Sequence, residues 1–181
     1  MALQKTSGAC APANRRHPRR MNNDEPKTTA NSVREFYFED IHAGDRFRSG
    51  DHAIGESEMV EFARRYDPQP FHTDPVAAQE SLFGGLAASG WFTAAVTMRL
   101  LALGELRIAG GMIGMGVEEL RWPQPVRAGD RLQVETEVLE VRPSRSRPQH
   151  GIVRVRNVTH NGAGEIVQTM ITALFVPRRP N

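Results

Sequence analysis

The sequence predicts an α+β fold in which an antiparallel β-sheet wraps one long buried α-helix. Three observations predict it. The stretch from Ser89-Gly90 through Trp91, Ala94, Ala95, Met98, Leu101 and Ala102 has helical length and is apolar on most sides, so its neighbours must cover it. Four later segments, Met115–Trp122, Arg131–Val141, Gly151–Thr159 and Ile166–Val176, read as strands separated by turn clusters. In the second of these, Leu132, Val134, Thr136 and Val138 alternate with Gln133, Glu135 and Glu137, giving one dry face and one wet face. An all-round apolar helix and a row of one-faced strands bury each other, which is the layer arrangement of an α+β domain.

Taken in order, residues 1–32 mix Ala, Pro, Asn, Thr and Arg with almost no large apolar side chains. They cannot bury enough surface to offset ordering entropy and read as a disordered basic tail, leaving 33–181 as the folded domain. Phe36-Tyr37-Phe38 and Phe47 read as two short strand segments around the turn at Ile41-His42-Ala43-Gly44-Asp45. Ser57 reads as the cap of a helix running to Tyr66, with acids in its first turn and arginines in its last. Pro68 and Pro70 stop that helix, and the linker after it is expected to be stiff and extended. Pro75–Glu80 suits a short helix ended by Gly84-Gly85, and the long helix follows.

Composition narrows the function classes. With 181 residues, 39% apolar, the chain fits one compact domain and a tail. The net charge of +2 is uneven: residues 1–32 carry +4 and the rest −2. The positive excess therefore lies off any packed face, which argues against a nucleic-acid-binding domain. No apolar run approaches the ~18 residues of a membrane span and none lies early, so neither a membrane nor an exported protein is expected. A single cysteine, Cys10, excludes an internal disulfide framework and a thiolate metal cluster, and a reducing, cytoplasmic setting is expected.

Most polar residues have a structural explanation, but Asp67-Pro68-Gln69-Pro70-Phe71-His72-Thr73-Asp74 has a chemical one as well. A carboxylate and an imidazole held five positions apart can share one water or one substrate proton. The bland alternative is a helix-capping Asp74 and a hydrogen-bonded loop His72. Downstream, Ser89-Gly90-Trp91 opens the buried helix with a glycine, where unpaired N–H groups favour developing negative charge. The alternative there is that Gly84, Gly85 and Gly90 serve tight turns and close packing. No second histidine lies near His72, so no metal site is expected.

These segments, together with Arg121-Trp122-Pro123-Gln124-Pro125-Val126-Arg127-Ala128-Gly129-Asp130, resemble the MaoC-like dehydratases, relatives of (R)-specific enoyl-CoA hydratases. The resemblance spans Phe36 to Arg178. It implies a hot-dog fold and a homodimer or higher homo-oligomer acting on acyl thioesters of fatty-acid metabolism, carried by coenzyme A or an acyl carrier protein. No cofactor is implied beyond coenzyme A as part of the substrate. Asp67 and His72 match the family's catalytic pair and Gly90 its carbonyl-holding glycine, with Gln69, Phe83, Ser89 and Trp91 expected to line the substrate. The implied reaction is reversible hydration of a trans-2-enoyl thioester to the (3R)-3-hydroxyacyl product. Thr97-Met98 stand where some relatives carry a serine. Two other functions fit the same architecture: thioester hydrolysis, and non-catalytic acyl-thioester binding as a dimer partner.

Overall fold

The computed structural model describes residues 34–180. The tail 1–32 lies outside the described residues. Five strands, β1 (Arg46–Ala53), β2 (Ile113–Arg121), β3 (Arg131–Pro143), β4 (His150–His160) and β5 (Ile166–Pro177), form one antiparallel sheet in the order β1-β3-β4-β5-β2. Four helices precede β2: α1 (Glu56–Tyr66), α2 (Pro70–Thr73), α3 (Pro75–Gln79) and α4 (Gly90–Leu103).

The alternation read in the sequence is the alternation in space. Leu132, Val134, Val153, Val155, Val167 and Val176 are at most 1% exposed and face inward, while charged side chains such as Glu135, Arg154 and Arg156 stand on the outer face. Phe92, Val96, Leu100 and Leu101 of α4 pack onto that inner face with Met59 of α1 and Met170 of β5. A second cluster fills the other end of the sheet, where Phe38, Ile41, Leu106 and Ile108 cover Val138, Val153 and Leu174. At about 25 cal/mol per Å² of apolar surface removed from water, the first cluster holds the helix in the sheet and the second seals the segments before β1 and after α4 onto it.

Four local expectations change. Phe36–Phe38 is not a strand: Phe36 makes one isolated bridge to Ile108, and Phe38–Asp40 closes a 3-10 turn because the Asp40 carboxylate accepts the Tyr37 N–H at 2.9 Å. The strand seen only as Phe47 runs from Arg46 to Ala53. Helix α1 starts one residue before Ser57, because the Gly55 N–H donates to the Glu58 carboxylate at 2.9 Å and closes the first turn. The linker after α1 is not extended: Pro70 takes the first position of α2, where its fixed φ and missing N–H suit a helix start.

Candidate active site

Asp67 ends α1, its N–H bonded to the Ala63 carbonyl at 2.8 Å. The single turn α2 then brings His72 back beside it, so the two proline-flanked residues meet through a turn. His72 Nε2 lies 3.5 Å from Asp67 Oδ2. The ring is buried, and its other nitrogen, Nδ1, is 2.7 Å from the Ala87 carbonyl oxygen. A carbonyl only accepts, so Nδ1 carries a proton; in the neutral ring Nε2 then presents a lone pair to Asp67 Oδ2, and two such acceptors 3.5 Å apart are suited to a shared donor such as water.

The other side of the site is the start of α4. Ser89 is wholly buried and serves two groups: its hydroxyl donates to Asp67 Oδ2 at 2.7 Å and accepts the Trp91 N–H at 3.2 Å. One side chain thus caps the helix and fixes the carboxylate. The Gly90 N–H has no acceptor among the described residues and sits at the positive end of the helix. Gly90 must be glycine, since a Cβ there would lie 2.8 Å from the Trp122 indole.

A cleft of about 260 Å³ opens at His72 and Gly90, lined also by Phe83, Thr93, Trp122 and Gln124; Asp67 and Ser89 stand behind His72 and Gly90 and do not line it. Phe83 packs against Phe71 with ring centroids 5.2 Å apart, and Phe71 against His72 at 4.6 Å, so the aromatic wall also fixes the imidazole. Of the residues expected to line the substrate, the structure brings Phe83 into the cleft. Trp91 is exposed and edges against Trp122 at 5.5 Å. Gln69 is exposed outside the cleft, and its carbonyl accepts the His72 N–H and the Thr73 hydroxyl. Asp74 caps α3, accepting the Val76 and Ala77 N–H groups. Thr97 turns its hydroxyl inward to Thr159 at 2.9 Å. The arginine turn 142–147 lies at the far end of β3 from the cleft.

Two further residues build the site without having been singled out for it. Arg127 donates to the carbonyls of Gly85 and Leu86 at 2.9 Å and to that of Phe83, tying down the loop where Gly84 and Gly85 adopt φ of 59° and 151°. Gln168 accepts the Trp122 indole N–H at 2.8 Å and fixes that ring over Gly90. Arg127 lies inside the motif read from the sequence, so its position was visible; Gln168, 46 residues from Trp122, carried no local signal. Among the described residues no three His, Cys, Asp or Glu converge to hold a metal.

A five-stranded antiparallel sheet packed around one long helix defines the hot-dog architecture. Residues 27–161 match the family model described as MaoC like domain, and the chain belongs to that family. It is similar to the MaoC-like dehydratase from Rhodospirillum rubrum, 51% identical with a TM-score of 0.78 over 81% of this chain and 99% of that one. The R-hydratase PhaJ1 from Pseudomonas aeruginosa is 27% identical with a TM-score of 0.65, covering 80% of this chain and 88% of the other. A curated relative, the 3-hydroxybutyryl-CoA dehydratase of Methylorubrum extorquens, is 32% identical over 64% of this chain and 71% of its own. The family thus includes hydratases and dehydratases.

Proposed function

We propose that this protein is an acyl-thioester hydro-lyase that reversibly adds water to a trans-2-enoyl thioester of coenzyme A or an acyl carrier protein, giving the (3R)-3-hydroxyacyl thioester. The observation that carries this reading is the pair of acceptors, Asp67 Oδ2 and His72 Nε2, 3.5 Å apart beside the open N–H of Gly90. One water held by the pair loses a proton to it as the water oxygen bonds to Cβ, and Cα receives one proton. The negative charge that builds on the thioester oxygen is met by the Gly90 N–H and the helix dipole. Ser89 and Ala87 hold Asp67 and His72 in place throughout.

The decisive experiment follows loss of the conjugated thioester absorbance for purified protein and for Asp67→Asn and His72→Gln. Each substitution is expected to lower turnover about a hundredfold or more with folding retained, and the double variant to be little worse than either single, since the two act as a unit. Release of free thiol at the rate of substrate loss would instead identify a thioesterase, and wild-type turnover in both variants would remove the hydratase reading.

The working unit is proposed to be a homodimer. Strand β2 ends the sheet with Ile113, Met115 and Val117 more than half exposed, and Trp91, Met98 and Leu103 of α4 are exposed as well. An apolar edge of this kind is covered by a second copy pairing about a two-fold axis.

A further inference from the structure

A second cavity, of about 410 Å³, lies between α4 and the inner face of the sheet. The rings of Trp91, which lines this cavity, and Trp122, which lines the cleft, pack edge to face with centroids 5.5 Å apart, so the two spaces are neighbours. Its walls are mostly apolar, yet a polar row crosses it: Thr136 of β3, Asn157 of β4 and Thr172 of β5, each less than a tenth exposed. Of the neighbouring inward positions on those strands, Thr159 is polar and bonds Thr97, while Val134, Val138, Val155, Met170 and Leu174 are apolar. Polar groups placed among them need a reason.

Their hydrogen bonds are incomplete. The Thr136 hydroxyl donates to Asn157 Oδ1 at 2.8 Å, and Asn157 Nδ2 reaches Thr172 Oγ1 only at 3.5 Å. An amide nitrogen has two N–H groups and a hydroxyl has one O–H. The second Asn157 N–H and the Thr172 O–H therefore have no side-chain acceptor among the described residues. Two donors beside one cavity fit a single oxygen acceptor. No charged side chain lines the cavity, so that oxygen is neutral.

We infer that Asn157 and Thr172 recognise an oxygen within the acyl chain, so that the preferred substrate is an enoyl thioester bearing a carbonyl, hydroxyl or ether oxygen and not a plain alkyl chain. This rests on the thioester reading above. The depth follows from the fold. Thr97 is seven residues beyond Gly90, about 10 Å along the helix. Its hydroxyl bonds that of Thr159, and Asn157 is two residues earlier on β4, about 7 Å away. Placed end to end these steps put the oxygen within roughly 20 Å of the Gly90 N–H, a span a medium-length chain can enter.

The experiment is an oxygen scan on the full-length protein. Decanoyl-CoA and analogues with one methylene replaced by an ether oxygen, position by position, are compared by calorimetric affinity, and their 2-enoyl counterparts by turnover. An oxygen at one interior position is expected to bind about fivefold or more tighter than oxygens elsewhere, and Thr172→Val, a near-isosteric change, to remove that preference. Uniform weakening at every position would overturn the inference without any variant being needed. An unchanged preference in Thr172→Val that also survives in Asn157→Leu would overturn it too. Hydration of the all-carbon parent without positional preference sinks this inference alone. Preference without hydration sinks the hydratase reading instead.

Discussion

Ser89 shows how much one side chain of this site does. Its hydroxyl sits between the Asp67 carboxylate and the Trp91 N–H, so the group that caps α4 also sets where the carboxylate points. Losing a hydrogen bond to a charged acceptor costs about 1.5–3 kcal/mol. Ser89→Ala is therefore expected to lower kcat by about ten- to a hundredfold with a smaller change in KM, because the group acts through Asp67 and not on bound substrate. Steady-state kinetics beside a melting curve checks this. A shift of KM alone, with kcat at the wild-type value, would return Ser89 to a substrate contact.

Among the elements, the short turn before β1 is held by charge as well as by the burial of Phe38 and Ile41. The Asp40 carboxylate accepts the Tyr37 N–H and lies beside Arg179 and Arg34, and these hold its pKa below the ordinary carboxylate range against the opposing effect of burial. A depressed folded-state pKa gives stability that is present above the unfolded-state value and is lost as pH falls through the folded one. Asp40→Asn is expected to lower the melting temperature near neutral pH, and the gap to wild type to close as the solution is acidified below the carboxylate range. Paired thermal melts at neutral and acid pH measure both. On α1, Met59 is wholly buried against α4, and Met59→Ala is expected to cost about 2–5 kcal/mol in denaturant unfolding, depending on how far the cavity collapses.

For the whole molecule, the proposed assembly turns on the edge at β2. Val117 is 55% exposed on the last strand of the sheet, and a lysine there sets charge into the proposed two-fold contact. Sedimentation at micromolar concentration is expected to give a dimer for the wild type and a monomer for Val117→Lys. A wild-type chain sedimenting as a monomer, or a variant as dimeric as the wild type, would move the interface elsewhere.

Periodicity and turn chemistry in the sequence determined the helix α4, the strands β2 to β5 and the inward face of β3, because those signals are local: alternation of two, apolar residues all round a helix, glycine and proline at the ends. The motif from Asp67 to His72 was legible for the same reason. Only the tertiary structure decided what surrounds it. The turn of α2 brings His72 within 3.5 Å of Asp67, five residues away, where proline spacing alone suggested an extended linker; that Ser89 fixes the carboxylate and that Gln168 and Arg127 brace the cleft depends on contacts across 22 to 46 residues. So does the polar row of Thr136, Asn157 and Thr172, since each residue reads singly as an ordinary strand position until the sheet register pairs Thr136 with Asn157 and sets Thr172, opposite Val155, diagonally beside Asn157.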